Sequence, residues 1–323
     1  EKSTGENILQ ESHRIEDEDN NNKRKENINS KTNFEKSVKD IEKDVFRTFP
    51  NHAMFDMSAE GPNQLRRILL AYSRSNPRIG YCQGLNFLSA TFLLFMSEEH
   101  SFWLLSSMCK NILPPNYYTP KLFDLHVDVR VLLKLVNTRL PNVQRILQAN
   151  RIDLRLITME WFMCSFLNTL PMETTARIWD VLLYERTSRI IFRVARGLLK
   201  LLQPNLEAAY NRKNEDSDEG SDFGDMQNIF QYLQSTGKMQ FDVEELFKVS
   251  LSSKCNVTSK EIEKIRKLCR AELQQEMDAI NVRRKKYEES LINELSVDKK
   301  DITEEANEVV CKNKKKEGKD VGK

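Results

Sequence analysis

Apolar residues recur at intervals of three and four through most of this chain, and this spacing limits its fold more than any other feature. The clearest run ends at Pro141 and contains Leu125, Val129, Leu132, Leu133, Val136 and Leu140. Such spacing places apolar side chains on one face of an α-helix. Alternating patterns bounded by hairpin turns, which indicate β-strands, are absent from the sequence. The sequence therefore predicts an all-α fold with many medium-length helices, which is more than a simple four-helix bundle.

Changes in composition divide the chain into four predicted segments. Residues 1–33 are polar and of low complexity, so they are predicted to be disordered. A helical domain is predicted over 34–257, with an acidic, glycine-dotted loop inserted at 211–225. A long helix is predicted over 258–297, followed by a disordered basic tail over 298–323.

Helix boundaries follow from prolines and capping signals. Pro204 is predicted to end one helix, and Thr258 and Glu261 have the spacing of a capping box at the head of the long helix. That long helix carries an apolar stripe, which predicts packing on the core first and a coiled-coil-like arm beyond it. A further helix carries Leu65, Ile68, Leu69 and Tyr72 on one face and is predicted to break at 73–78. The other helices are predicted at about 34–49, 84–96, 101–112, 142–149, 158–169, 172–184, 188–203, 226–235 and 242–251.

Charge and cysteine usage exclude several kinds of function. The formal net charge is +2 over 323 residues, so no overall field favours nucleic acid as a partner. The six cysteines show no CxxC spacing, which predicts neither a disulfide framework nor a zinc site and fits a reducing, cytoplasmic location. No apolar run approaches the roughly 20 residues that span a bilayer. Peripheral association with endomembranes is left open.

The sequence lacks the motifs of common enzymes. No GxSxG, HExxH or P-loop motif is present, and the four histidines are isolated from possible partners. Cys82 has no convincing histidine to act as its base. The acidic loop lacks the glycine and the terminal glutamate of a calcium loop, so no metal site is predicted there.

Two short stretches carry the chemically distinctive residues. In IEKDVFRTFP, residues 41–50, Asp44 and Arg47 lie three apart, which alone predicts only a surface ion pair. In NPRIGYCQGLNFL, residues 76–88, Gln83 lies in a turn that opens a helix. Alone it predicts a cap or turn residue, although its amide can both donate and accept hydrogen bonds.

Together the stretches resemble the TBC domain family, the GTPase-activating proteins of Rab small GTPases. The pattern IxxDxxR is followed by YxQ, and the later segments EWF (160–162) and RIWDVLLYE (177–185) also resemble the family. The resemblance covers roughly residues 36–250. The residues that match the two motifs are Ile41, Asp44, Arg47, Phe49, Pro50, Gly80, Tyr81, Gln83, Gly84 and Asn86.

The resemblance implies a fold in two helical subdomains and a mechanism. Arg47 would be an arginine finger and Gln83 a glutamine finger, both inserted into the nucleotide site of a GTP-bound Rab, with Gln83 replacing the Rab's own glutamine. The chain would need no cofactor of its own, since the partner binds GTP and Mg²⁺. The supporting residues would be Ile41, Asp44, Tyr81, Gly84 and Asn86. The activity would regulate vesicle trafficking.

The chain departs from the family ahead of the first motif. The family usually carries a helical segment there with Leu-Arg, Trp and a Gly-x-Pro turn, whereas this chain has low-complexity residues. The expectation is that this segment lies upstream in a longer protein or that the domain is truncated. A non-catalytic Rab-binding scaffold is the alternative function, which the presence of both Arg47 and Gln83 disfavours.

Other conspicuous residues are predicted to be structural. Trp161 and Trp179 are predicted to lie in the core, and Asp180 to cap or pair locally, for example with Arg177. A basic series is predicted to form a solvated face, with contact to a GTPase or an acidic lipid as the alternative. It consists of Arg186, Arg189, Arg193 and Arg196.

Overall fold

The computed structural model describes residues 32–215, 229–233, 242–253 and 255–317, and within these ranges it contains helices and no β-strand. The prediction of an all-α fold is therefore confirmed. The helices are α1 (32–45), α2 (Gly61–Ser75), α3 (Leu85–Phe95), α4 (Glu98–Ser107), α5 (Phe123–Arg139), α6 (Pro141–Ala149), α7 (Arg155–Met163), α8 (Met172–Glu185), α9 (Arg189–Glu215), α10 (229–233), α11 (Val243–Leu251) and α12 (Ser259–Glu317). A 3₁₀ turn occupies Ala53–Phe55, and α4 continues into a π-helical turn at Met108–Ile112.

The chain forms two compact units, Glu1–Lys267 and Leu268–Lys323. In the first unit, α2, α3 and α4 pack against one another. A second group of helices surrounds α9, which contacts α5, α6, α7, α8 and α11. The described part of the second unit is the continuation of α12, on which Ile280 and Tyr287 are exposed.

The core of the first unit is made of large apolar side chains, including both predicted tryptophans. Trp161 is 2% exposed and Trp179 is 6% exposed, which confirms their core placement. The ring of Trp179 lies 5.3 Å from that of Phe92, so it joins α8 to α3. The rings of Phe162 and Phe192 meet edge to face at 5.0 Å and join α7 to α9.

Pro204 does not end α9, contrary to the prediction. The helix continues to Glu215, so residues 211–215 of the predicted acidic loop are helical. A proline removes one backbone hydrogen bond and crowds the preceding turn. The long apolar face of α9 before Pro204 is buried, and that burial offsets the local cost. Residues 216–225 of the predicted insertion lie outside the described residues.

Other boundaries also differ from the predictions, and α1 ends at residue 45 where the sequence predicts 49. The helix predicted at 158–169 instead spans Arg155–Met163, and turns follow in which Ser165 and Phe166 have φ of 47° and 69°. The long helix predicted to end at 297 runs to Glu317, because the sequence has neither glycine nor proline between 259 and 317. The sequence predicts disorder over 1–33 and 298–323, but residues 32–33 and 298–317 are helical, and 1–31 and 318–323 lie outside the described residues.

The first turns of α12 are anchored to the helical domain by polar contacts. The backbone N–H of Glu261 donates to Oγ1 of Thr258 at 3.1 Å, as the capping prediction requires. The guanidinium of Arg266 donates from Nε and Nη2 to the two carboxylate oxygens of Asp128, both at 2.7 Å. The side chain of Asp128 is fully buried, so this bidentate pair lies in the interior.

Only Arg186 of the basic series is exposed, so the series does not form the predicted solvated face. Arg189 pairs with Glu185 at 2.6 Å, and the side chain of Arg193 is only 12% exposed. Arg196 is fully buried and donates from Nη1 to the carbonyl oxygen of Cys255 at 3.0 Å. Arg193 also donates from Nη2 to Oδ1 of Asn256, so Arg193 and Arg196 hold the α11–α12 connection against α9.

The local pair predicted between Arg177 and Asp180 is replaced by a longer-range contact. Arg177 lies 3.2 Å from Glu244 at the start of α11, and its guanidinium also stacks over the ring of Phe247.

Candidate functional site

The end of α1 places one aspartate inside the protein and one arginine at its surface. Ile41 and Val45 lie one helical turn apart and are buried, with Asp44 beside them at 5% exposure. The helix closes with tight turns, in which the N–H of Arg47 donates to the carbonyl of Asp44 at 3.2 Å. The side chain of Arg47 is 53% exposed. A single turn thus joins a buried anion to an exposed cation.

The carboxylate of Asp44 holds two side chains at once. Its Oδ1 lies 2.7 Å from Nη2 of Arg47, and its Oδ2 accepts a hydrogen bond from the Tyr81 hydroxyl at 2.6 Å. The remaining guanidinium nitrogens of Arg47 have no hydrogen-bond partner among the described residues. The guanidinium is therefore oriented from one side and open on the other.

Tyr81 connects the second motif to α1. Its backbone N–H donates to Oγ of Ser37 at 3.1 Å, in addition to the hydroxyl contact with Asp44. Burial of the phenol and its hydrogen bond to the Asp44 carboxylate raise the pKa of Tyr81 far above its ordinary value. The hydroxyl therefore stays protonated and remains a donor at physiological pH.

The turn before α3 leaves Gln83 exposed and requires a glycine after it. Gly84 has φ of +107°, and a Cβ added there would lie 3.1 Å from Cγ of Met163. Gln83 precedes it at the surface, and its side-chain amide makes no hydrogen bond to any described residue. Its amide is thus available to a partner molecule.

Asn86 and Thr48 join the two motifs through the interior. Both are fully buried. Asn86 donates from Nδ2 to Oγ1 of Thr48 at 2.8 Å, and its Oδ1 accepts from the N–H of Gly84 at 2.9 Å. Thr48 in turn donates to the carbonyl of Asp44 at 2.6 Å. Thr48 was not among the predicted site residues, although a hydroxyl four residues after a helical aspartate is a recognisable back-bonding signal.

Phe49 of the first motif sets the course of the chain after Arg47, and Pro50 follows it in an exposed turn. Phe49 has φ of 50°, and its ring lies 5.7 Å from the ring of Phe87 on α3 and 5.9 Å from that of Phe55. The left-handed turn therefore folds the segment after Arg47 back over the start of α3.

The thiol beside Gln83 is poorly suited to nucleophilic chemistry. Burial, with a smaller effect from the nearby Asp44 carboxylate, raises the pKa of Cys82 to about 11. The thiolate is the reactive form of cysteine, so Cys82 is almost entirely unreactive near neutral pH. Within the described residues there is no group of three or more His, Cys, Asp or Glu side chains arranged to hold a metal ion. No helix in the described part of the chain is long and apolar enough to cross a membrane.

The structure thus brings the predicted supporting residues into one connected cluster. Ile41 is buried beneath it, and hydrogen bonds connect Asp44, Tyr81, Gly84 and Asn86 directly or through Thr48. Arg47 and Gln83 lie on the two turns that this cluster supports, both with exposed side chains.

Comparison with known proteins identifies relatives of this arrangement. TBC1 domain family member 2A from Mus musculus is 35% identical over 253 residues, which is 78% of this chain and 26% of that protein. Small G protein signaling modulator 3 from Homo sapiens is 39% identical over 176 residues, 54% of this chain and 23% of that protein. The chain therefore spans about a quarter of the length of these relatives.

Solved structures show the same fold. The Chlamydomonas flagellar RabGAP TBC domain matches with a TM-score of 0.57 and 31% identity, covering 71% of this chain and 73% of that one. The Ypt/Rab-GAP domain of Gyp1p matches with a TM-score of 0.54 over 75% of this chain and 79% of that one. At 18% identity the second match supports the fold alone. The model of the Rab-GTPase-TBC domain matches residues 3–207, and the chain therefore belongs to the Rab-GTPase-TBC domain family.

Proposed function

We propose that this chain accelerates GTP hydrolysis by a Rab GTPase in its GTP-bound form, with Arg47 and Gln83 both entering the partner's nucleotide site. The observation that carries this proposal is the placement of Arg47. Its exposed guanidinium is oriented by the nearly buried Asp44, while its other nitrogens have no partner among the described residues. Membership of the Rab-GTPase-TBC family supports a Rab as the partner.

Arg47 has the chemistry that phosphoryl transfer requires. Negative charge spreads over the γ-phosphate oxygens and the bridging oxygen in the transition state, and a planar guanidinium offers forked donors to that charge. Such a residue is worth about 10³–10⁵ in rate. That factor corresponds to roughly 4–7 kcal/mol of transition-state stabilisation. An exposed ion pair would contribute only about 0–1 kcal/mol to stability.

Gln83 has the chemistry to hold the attacking water. Its amide oxygen accepts a hydrogen bond from the water, and its amide nitrogen donates to a neighbouring oxygen. The water oxygen forms a bond to the γ-phosphorus while the bond to the bridging oxygen breaks, which yields GDP and inorganic phosphate. The partner binds GTP and Mg²⁺, so this chain supplies side chains and no cofactor. Action on a Rab would place the chain in the regulation of vesicle trafficking, in the cytoplasm or at the surface of endomembranes.

Single-turnover GTP hydrolysis across a panel of Rab proteins tests the proposal. The chain should accelerate one or a few Rabs, and Arg47→Ala and Gln83→Ala should each abolish most of that acceleration while the domain stays folded. Arg155 is a matched control, because its side chain is also 53% exposed and it pairs with Asp153 at 2.8 Å. Arg155→Ala should therefore retain activity. Wild-type rates from both motif variants would contradict the proposal.

A further inference from the structure

The turns that carry Arg47 and Gln83 are far apart in sequence but must act on one nucleotide. Thirty-five residues separate the two, including α2 and the 3₁₀ turn. Displacement of a catalytic group by about 1 Å costs on the order of 100-fold in rate. The relative placement of the two turns is therefore a requirement of the function proposed above.

One continuous chain of hydrogen bonds joins the two turns through the interior. It runs from the carbonyl of Asp44 to the Thr48 hydroxyl, then to the amide nitrogen of Asn86, and from the Asn86 amide oxygen to the N–H of Gly84. Its first residue is three before Arg47, and its last directly follows Gln83. We propose that Thr48 and Asn86 are positioning residues that fix the turn of Arg47 relative to the turn of Gln83. This inference rests on the proposed function.

The donors and acceptors in this series of hydrogen bonds permit only one orientation of the Asn86 amide. The single proton of the Thr48 hydroxyl is used toward the carbonyl of Asp44, so the hydroxyl oxygen is an acceptor toward Asn86. The Gly84 N–H needs an acceptor, which sets the amide oxygen of Asn86 on that side. If the amide were flipped, its NH2 group would face the Gly84 N–H, and two donors would meet with no acceptor between them. Because Thr48 and Asn86 are fully buried, bulk water does not reach either contact, and loss of one partner leaves the other without its hydrogen bond.

These buried hydrogen bonds act differently from the Asp44 carboxylate. The carboxylate contacts the guanidinium of Arg47 directly and so orients that side chain. Thr48 and Asn86 contact neither the guanidinium nor the Gln83 amide, and they join backbone to backbone. They therefore act through the position of both turns.

Thr48→Val tests the inference, because valine keeps the shape of threonine and removes only the hydroxyl. With the Rab that the panel identifies, the variant should lower the maximal rate of GTP hydrolysis about 10–100-fold. It should also weaken binding to the Rab loaded with GDP and aluminium fluoride, which mimics the transition state. Binding to the same Rab loaded with GppNHp should be unchanged. A role in folding alone would not separate these two affinities.

Thr158→Val is a matched control. Thr158 is also fully buried, and its hydroxyl donates to the carbonyl four residues earlier, that of Leu154, at 2.9 Å. This control should behave as wild type in all three assays. Thr48→Ser, which restores the hydroxyl, should recover most of the rate. If Thr48→Val does not fold, the comparison of Thr48→Ser with Thr48→Ala isolates the same hydroxyl without placing a methyl group against Asn86.

The outcomes separate this inference from the function on which it rests. A wild-type rate for Thr48→Val, or equal rates for the serine and alanine variants, would overturn the inference. Loss of activity in Arg47→Ala under the same conditions would leave the proposed function standing. If Arg47→Ala were also fully active, the proposed function itself would fail.

Discussion

Replacing Asp44 with asparagine separates the orientation of Arg47 from its presence. The buried carboxylate contacts Arg47 through Oδ1 and accepts from the Tyr81 hydroxyl through Oδ2. An asparagine oxygen can still accept from Tyr81. The NH2 group of the asparagine would then face the guanidinium of Arg47, and because both groups are donors, no hydrogen bond could form between them. Asp44→Asn therefore removes the contact that orients the guanidinium and leaves Arg47 itself in the sequence.

The magnitude follows from the exposure of the pair. A hydrogen bond to a charged group contributes about 1.5–3 kcal/mol. The Arg47 side chain is 53% exposed, and solvent screening reduces the loss to roughly 1–2 kcal/mol. At about 1.4 kcal/mol per factor of ten, Asp44→Asn should slow stimulated hydrolysis roughly 5–30-fold. Complete removal of the guanidinium should cost about 10³–10⁵.

Single-turnover GTP hydrolysis at saturating concentrations of the chain measures this difference. The rate should decrease from wild type to Asp44→Asn and then to Arg47→Ala. On a logarithmic scale, the rate of Asp44→Asn should lie closer to that of wild type. Thermal unfolding of each variant checks that the domain is intact. A wild-type rate for Asp44→Asn would refute the orienting role, and a folded variant as slow as Arg47→Ala would show that Asp44 does more than orient.

Three further predictions test the surrounding structure. Tyr81→Phe should lower the free energy of unfolding in urea by about 1–3 kcal/mol, because the nearly buried carboxylate of Asp44 loses one donor; an unchanged midpoint would argue against that contact. Arg266→Met should lower the free energy of unfolding in urea by about 3–5 kcal/mol, because the buried Asp128 loses its guanidinium partner. A change near zero would contradict the burial of this ion pair. Alkylation of Cys82 by iodoacetamide at pH 8, followed by mass spectrometry, should be about 100-fold slower than for an ordinary thiol, because a pKa of about 11 leaves little thiolate. The alkylation rate should rise with pH up to about 11. A plateau of the rate near pH 9 would contradict the raised pKa.

Local signals predicted the helices whose ends are set by local chemistry. The helix predicted at 142–149 spans Pro141–Ala149, since proline is favoured in the first turn of a helix. Pro204 does not follow this rule, because its effect on α9 depends on tertiary packing that the sequence does not display. The continuation of α12 to Glu317 was missed because a charged composition resembles disorder, although it lacks any helix-breaking residue.

The motifs predicted which residues cluster at the candidate site, while the links between them required the structure. Asp44 and Tyr81 belong to separate motifs, and only the fold brings their side chains within 2.6 Å. The sequence does not predict the role of Thr48, because that role depends on a partner 38 residues away. Arg196 illustrates the opposite error. It lies in a basic run that suggests solvent exposure, yet it is buried against a loop 59 residues away.

The most direct test of the central claim uses a Rab whose own catalytic glutamine is replaced by leucine. If Gln83 holds the attacking water in trans, the chain should still accelerate GTP hydrolysis by this Rab, and Gln83→Ala should abolish that acceleration. Gln148, an exposed glutamine on α6, provides the matched control, so Gln148→Ala should remain active. Acceleration of the normal Rab with none for the leucine variant would contradict the account, because the water would then be held by the Rab and not by Gln83.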